Sequence, residues 1–334
     1  MATFGRRALA ALLAMPALAR PGAAQTGAGP SGAGQEEWPS RPILLLVGFP
    51  PGGPNDLVAR VLAARLGEAL GKPVIVENRP GANSNIAAAA VARAAPDGHT
   101  FLYNSSSIAL SAAFSRTLTY DALRDLTPIN GTATLPLVTV VEAGGPMRDA
   151  AEWAAAIRRR PGQLNYGSPG VGNLAHVGMA MILKNNGLDA THVPFRGSSE
   201  ALTALIGGSI QFQLDSVNSP LGQIRAGRVR PLFVTSRQRS ELLPEVPTAR
   251  ECGFGDMDVS GWQGIMGPAG LPSAIVARLG AEIGRAMASA PMRAALVAQG
   301  AYAIATTPPG YAAFLADEIA RFKALADELA IRLD

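Results

Sequence analysis

Short apolar runs alternate along the chain with Ala-rich stretches whose apolar residues recur at helical spacing. Residues 43–48 are apolar throughout and are bounded by Pro42 and a Gly/Pro-rich turn, a pattern typical of a buried parallel strand. Residues 55–70 repeat Leu and Val every three to four positions, and Gly71 marks the end of that helix. The same criteria predict strands at 74–77 and 99–103 and helices at 85–94 and 107–114. This alternation predicts an α/β architecture with a parallel sheet.

A second series of the same kind follows the apolar segment 136–141. It predicts helices at 150–159, 173–184, 199–206 and 220–226 and strands at 164–166, 191–194, 210–214 and 230–235. After Trp262 a short apolar run precedes three helices, at 273–289, 292–299 and 309–329. Because no obvious strands accompany these helices, we expect them to pack back onto the first series of strands and helices. The result is two lobes, 38–140 plus 262–334 and 141–261, joined by two chain crossings.

The first 24 residues have the pattern of a cleaved export signal. Arg6 and Arg7 precede an apolar run at 8–19, and small residues end at Ala24, where we expect cleavage. The alternative is an N-terminal helix of the fold. The paired arginines leave both the Sec and the twin-arginine routes open. Residues 25–37 are rich in Gly, Ala and Ser and predict a flexible spacer.

Charge and cysteine content exclude several classes of function. The net charge of +4 and pI near 9.6 come largely from the predicted leader, since the chain after Ala24 has 26 cationic and 25 anionic residues. We therefore expect no nucleic-acid partner. The single cysteine, Cys252, excludes a disulfide framework within the chain. His99, His176 and His192 lack metal-site spacing, so we predict no metal and no cofactor.

Two glycine-rich turns, one in each predicted lobe, are candidate anion sites. Each lies between a strand and a helix, at 49–56 and 167–173. Glycine lets backbone N–H groups approach a ligand, and a helix N-terminus carries a positive dipole. No lysine is placed to reach phosphates, so we expect a carboxylate held between the turns. The alternative is that these residues only shape turns and cap helices.

The candidate ligand-binding residues lie in or beside such turns. In the first turn they are Phe49, Pro51, Gly52, Gly53, Asn55 and Asp56. In the second turn and its helix they are Ser168, Gly170, Gly172, Asn173 and His176. Others follow strands: Asn104, Ser105, Ser106, Arg196 and Asp215. Helix capping is the alternative for the serines, a structural contact for His176 and Asp215, and a surface role for Arg196. A further polar loop, 78–83, also precedes a helix, and we expect its Arg79 to be structural.

We predict no catalytic residues, since no G-x-S-x-G elbow is present. A secreted hydrolase or transferase remains the alternative; it would use Ser168 or Ser105 with His176 and needs a nucleophile–base contact of about 2.6–3.2 Å.

Six segments together give the chain a specific family resemblance. They are GFPPGGPND at 48–56, VENRPGA at 76–82, APDGHT at 95–100, PGQLNY at 161–166, VPFRGS at 193–198 and LPEVPT at 243–248. In this order and spacing the chain resembles the Bug-type extracytoplasmic solute receptors of tripartite tricarboxylate transporters. The resemblance covers nearly all of the sequence from Trp38 to the end.

The resemblance implies a two-lobed, type II-like periplasmic-binding-protein fold that closes on its ligand by hinge motion, without catalysis. The implied ligand is a small carboxylate (a di- or tricarboxylate, an acidic amino acid or an aromatic acid), and the implied partner is a membrane permease. We expect a periplasmic monomer. The family holds a carboxylate between loops that correspond to 49–56 and 168–173. A receptor that serves a signalling partner is the other possibility.

Two positions and one loop depart from the family's usual residues. Asn55 stands where Thr or Ser is common, and Asn173 stands where Thr is common. The loop 104–107 reads Asn-Ser-Ser-Ser instead of Gly, Thr and His. We expect these positions to face the variable end of the ligand, so the sequence leaves the identity of the carboxylate open.

Overall fold

The computed structural model describes residues 38–256, 258–304 and 306–329. The predicted leader and spacer lie outside the described residues. No helix in the described part of the chain combines the length and apolar character needed to cross a membrane.

The helices and strands follow the predicted alternation closely. The strands are β1 (Ile43–Val47), β2 (Val74–Asn78), β3 (Thr100–Ser105), β4 (Leu126–Glu142), β5 (Asn165–Ser168), β6 (Thr191–Pro194), β7 (Phe212–Ser216), β8 (Val229–Val234), β9 (Ser260–Pro268) and β10 (Tyr302–Ala303). The helices are α1 (Pro54–Leu70), α2 (Asn85–Ala92), α3 (Ser107–Phe114), α4 (Ala150–Arg159), α5 (Leu174–Asn185), α6 (Ser198–Ile206), α7 (Leu221–Arg225), α8 (Ser273–Met287), α9 (Ala290–Ala298) and α10 (Pro308–Leu329).

The strands form one continuous sheet with two parallel parts. Its order is β2-β1-β3-β9-β4-β7-β5-β6, and β8 and β10 also pair with β4. In the first part β1 runs parallel to β2 and β3, and in the second β5 runs parallel to β6 and β7. The two parts are joined by β4 and β9, which are antiparallel to each other.

Strand β4 belongs to both parts of the sheet. Residues 126–136 pair with β9, whereas residues 137–142 pair with β7 and β8. The sequence pattern predicted only the second half of this strand, because buried polar residues interrupt the first half. Asn130 accepts hydrogen bonds from Thr306, and Thr132 hydrogen-bonds to Tyr103 Oη at 3.0 Å.

The C-terminal helices pack onto the first part of the sheet, as expected. Leu279 and Ile283 of α8 share a buried cluster with Val58 and Leu62 of α1. Tyr311 of α10 is fully buried and donates a hydrogen bond to Asn104 at the end of β3. The chain therefore leaves the first part of the sheet along β4 and returns to it along β9.

Candidate functional site

A cavity of about 370 Å³ lies where the two parts of the sheet meet. Its first wall follows the carboxyl ends of β1 and β3, and its second wall follows those of β5, β6 and β7. The polar side chains on its walls are Asn55, Asn83, Ser105, Ser106, Ser107, Asn173, Ser198, Asp215, Ser216, Asn218, Ser219 and Gln263. Carboxyl ends of parallel strands are the usual ligand-binding edge of an α/β sheet.

Four helices begin at this cavity. Residues in the first turns of α1, α3, α5 and α6 line it: Asn55, Ser107, Ala175 and Ser198. Each helix N-terminus presents backbone N–H groups that have no acceptor within the helix, and it carries a partial positive charge. No Lys or Arg is among the described lining residues, so main-chain amides supply the positive potential. Such a wall favours an anion.

Asp56 stabilises the first glycine-rich turn through hydrogen bonds and an ion pair. This buried carboxylate accepts hydrogen bonds from Gly52 N at 2.9 Å and Asn78 Nδ2 at 2.8 Å, and it pairs with Arg60 at 2.9 Å. Burial acts to raise the pKa of Asp56, but the bonds from Arg60, Gly52 and Asn78 outweigh it and lower the pKa. Asp56 therefore shapes the turn and lies outside the cavity wall.

The other residues of this turn divide between the cavity and the surface. Phe49 and Asn55 line the cavity, and Asn55 Oδ1 is buried with no hydrogen-bond partner among the described residues. Gly53 caps α1 through its extended backbone. Pro51 and Gly52 are exposed and lie outside the cavity wall.

The loop after β3 separates Asn104 from the serines that follow it. The Asn104 side chain is buried, accepts a hydrogen bond from Tyr311 Oη at 3.0 Å and contacts Met266 Sδ at 3.2 Å. It therefore anchors α10 and does not line the cavity. Ser105 and Ser106 do line it, and Ser105 Oγ donates to Ser107 Oγ at 3.0 Å.

The second glycine-rich turn is supported by a pair of stacked histidines. The rings of His176 and His192 lie 3.7 Å apart between centroids and 11° from parallel. Gly172 N donates to His176 Nδ1 at 3.0 Å, which places the proton of the neutral ring on Nε2. Burial lowers the pKa of both rings to about 4, and for His176 the neighbouring His192 lowers it further. Neither ring lines the cavity, so the pair fixes the turn from behind.

The residues of the second glycine-rich turn lie in different places, two cavity walls and the buried interior. Asn173 lines the cavity and caps α5, its Oδ1 accepting from Ala175 N at 2.9 Å. Gly170 and Gly172, both at positive φ, line an adjoining cavity of about 780 Å³. Ser168 is fully buried beneath the turn.

Asp215 lies in the cavity wall at the end of β7. Its oxygens accept from Gln213 Nε2 at 2.8 Å and Ser216 N at 2.7 Å, and also from the hydroxyls of Ser198 and Ser219. Burial raises the pKa of Asp215 above its ordinary value, although these four hydrogen bonds act to lower it. Asp215 is thus a buried acceptor in the cavity wall, held by four donors from the chain.

Arg196 lies away from this cluster. It is exposed, its backbone N donates to Glu200 Oε2 at 3.0 Å, and it is outside the cavity wall.

Several lining residues were missed by sequence reasoning. Asn83 lies in the loop 78–83, where it and its neighbours Ala82 and Ser84 all have positive φ, a conformation that costs energy in residues other than glycine. Ser198 starts a helix after Gly197, and Ser219 follows a strand, so the signals that found other candidates apply to both. Trp262 and Gln263 lie within a crossing strand, where no local signal marks them.

A serine–histidine contact exists, but not the one that the enzyme alternative required. Ser168 Oγ lies 2.7 Å from Nε2 of His192, within the range of a nucleophile and its base. However, Ser168 is fully buried and its hydroxyl hydrogen-bonds to Gly170 O at 3.0 Å. No acidic side chain in the described part of the chain pairs with His192. This geometry supports the turn and gives no substrate access to Ser168.

Comparison with known proteins identifies the family. The sequence model for the tripartite tricarboxylate transporter family receptor matches residues 58–331. The chain belongs to this receptor family. The protein BugT of Bordetella pertussis (strain Tohama I) is 34% identical over 300 residues, covering 89% of this chain and 92% of BugT. These findings confirm the Bug-type resemblance.

Two solved structures have the same fold. Rpa4515 of R. palustris, solved with adipate, superposes with a TM-score of 0.77 at 31% identity, covering 89% of this chain and 99% of that one. MatC (Rpa3494) from Rhodopseudomonas palustris, solved with bound malate, superposes with a TM-score of 0.73 at 31% identity. The match covers 86% of this chain and 99% of MatC. The predicted two-lobed α/β periplasmic-binding-protein fold is confirmed.

Proposed function

We propose that this receptor captures a small carboxylate in the periplasm and delivers it to the permease of a tripartite tricarboxylate transporter. The observation that carries the proposal is the convergence of four helix N-termini on one cavity whose described lining has no Lys or Arg. Adipate and malate, named with the two related structures, are both dicarboxylates, which supports this ligand class.

Binding requires two lobes that close on the ligand. We assign residues 38–140 and 262–334 to the first lobe and 141–261 to the second, with β4 and β9 as the crossings. Hinge closure would bring the two glycine-rich turns together around the carboxylate. The protein works as a monomer without a cofactor or catalysis, and its leader is removed near Ala24.

The wall around Asp215 refines the ligand class. Ser198 and Ser219 donate their hydroxyl protons to Asp215, so lone pairs remain for the ligand. Asn218 Oδ1 is buried in the same wall with no partner among the described residues. These buried acceptor atoms require a hydrogen-bond donor from the ligand, and the helix N-termini favour a negative charge on it. The ligand therefore carries a hydroxyl or ammonium group beside its carboxylate.

The test is a thermal-shift screen of purified protein that has been unfolded, dialysed and refolded to remove copurified ligand. A ligand that binds the folded state raises the melting temperature with its concentration, because it adds RT ln(1 + [L]/Kd) to stability. We expect shifts with small carboxylates and none with their amides. A broad carboxylate library that gives no shift contradicts the proposal.

Transport is separated from signalling by uptake. Cells that carry the permease subunits should accumulate a radiolabelled carboxylate found in the screen, and deletion of the receptor should abolish that accumulation. Unchanged uptake in the deletion strain would favour the sensor alternative.

A further inference from the structure

We infer that the ligand cavity continues into an outer chamber in which Arg93 binds a second, distal carboxylate. This inference rests on the proposed function and names its ligand class as an elongated dicarboxylate. The outer chamber has a volume of about 780 Å³. It shares Asn83, Pro169 and Asn173 with the inner cavity, so a ligand can extend from one into the other.

One face of α2 forms the first wall of the outer chamber. Ile86, Ala89, Ala90 and Arg93 line it, at the spacing of three and four residues that places side chains on one face of a helix. From Ile86 to Arg93 the helix rises about 10 Å. Arg93 therefore lies at the far end of the wall from Asn83, where the chamber meets the inner cavity.

The middle of the chamber is apolar and accessible. Ile86 on one wall and Val171 on the other are 54% and 52% exposed, although both are large aliphatic side chains. They belong to opposite lobes of the proposed assignment. A methylene chain lying between them would be removed from water, which favours binding.

Arg93 supplies the charge at the outer end. It is the charged residue in the chamber's described lining, it is exposed, and none of the described acidic side chains pairs with it. A guanidinium binds a carboxylate through two parallel hydrogen bonds. The ligand that fits has one carboxylate at the helix N-termini, an apolar middle between Ile86 and Val171, and a second carboxylate at Arg93.

A structural role for Arg93 makes a different prediction. Arg93 caps the C-terminus of α2, where a cation interacts favourably with the helix dipole. That role affects stability and leaves ligand selectivity unchanged. Selectivity among ligands of different length and charge is therefore the measurement that separates the two roles.

The experiment is calorimetric titration of ligand-stripped protein with straight-chain dicarboxylates of four, six, eight and ten carbons and with the monocarboxylates of the same lengths. We expect wild-type protein to bind one of the longer dicarboxylates at least tenfold more tightly than the four-carbon one. The variant Arg93→Gln should bind that dicarboxylate about tenfold more weakly than wild type does. Its affinity for the monocarboxylate of the same length should be unchanged. Arg158→Gln, which removes an exposed charge from α4 outside both cavities, is the control and should bind as wild type.

Three outcomes would overturn the inference. They are no preference for longer dicarboxylates, an Arg93→Gln variant with unchanged dicarboxylate affinity, and equal losses for the dicarboxylate and the monocarboxylate. If short carboxylates bind but neither length nor Arg93 matters, only this inference fails. If no carboxylate of any kind binds, the proposed function fails as well.

Discussion

Gly48 and Ser84 lie so close together that a β-carbon on Gly48 would overlap the side chain and backbone of Ser84. Gly48 leads into the first glycine-rich turn, and Ser84 ends the strained loop that holds Asn83 in the cavity wall. This contact helps to set the relative positions of the two loops, together with the hydrogen bond from Asn78 Nδ2 to Asp56. The glycine is needed for the space that it leaves, since its φ is not in the left-handed region.

We predict that Gly48→Ala destabilises the protein by about 2 kcal/mol or more, because inserting a methyl group into a packed site typically costs 1–3 kcal/mol. Urea unfolding measures the change. The control is Gly284→Ala in α8, where no atom lies within 4 Å of the added β-carbon and a gain of about 0.5–1 kcal/mol is expected. Equal free energies of unfolding for the two variants would show that Ser84 moves away from the added methyl group without loss of stability.

We predict that stability falls on acidification between about pH 6.5 and pH 4 because of His176 and His192. Their pKa values are about 4 in the folded protein, against 6.5 for an ordinary histidine. In this range the unfolded chain binds protons that the folded protein does not, so unfolding becomes more favourable as the pH falls. Urea unfolding at pH 7, 6 and 5 measures the slope.

The histidine contribution is isolated by His176→Gln, whose side-chain oxygen can still accept from Gly172 N. This variant should show a smaller pH slope than wild type. Burial raises the pKa of Asp215 and Glu318, which gives a slope of the opposite sign in both proteins, so the difference between them reports the histidine. Identical slopes would mean that His176 titrates normally in the folded state.

We predict that Asp215→Asn lowers affinity about tenfold for a dicarboxylate with a 2-hydroxyl group and leaves its unsubstituted counterpart unaffected. The substitution keeps the shape of the side chain but replaces one acceptor oxygen with a donating NH₂ group, so the Ser198 or Ser219 hydroxyl loses the lone pair that we assign to the ligand's donor, and one hydrogen bond contributes about 0.5–1.5 kcal/mol. Malate and succinate form a suitable pair of probes for calorimetry. Equal losses for both would assign Asp215 to the support of β7 alone.

The helices and strands could be predicted closely because their periodicity is strong. Helices at 107–114 and 150–159 have the predicted bounds, since their apolar residues recur without interruption. The first half of β4 could not be predicted, because Asn130 and Thr132 are satisfied by partners 29 or more positions away in sequence. Local patterns do not contain such long-range hydrogen bonds.

Only some of the residues in the cavity wall could be predicted from the sequence. Asn55 and Asn173 follow turns at helix starts, and both lie in the wall. Asn104 and Ser105 are neighbours in a strand and point to opposite faces, and nothing local indicates which face borders the cavity. Asp56 has the right chemistry for a ligand, but Arg60 and Asn78 occupy its oxygens, a pairing that only the folded chain brings about.

The helix N-termini around the inner cavity have a consequence for how such receptors diverge. Main-chain amides are present whatever side chain a position carries, proline excepted, so most point mutations leave in place the groups that we propose to hold the first carboxylate. Side chains such as Asp215 and Arg93, in contrast, can be exchanged one at a time. A lineage of receptors built this way can change the cargo it recognises while its basic affinity for a carboxylate is protected from mutation.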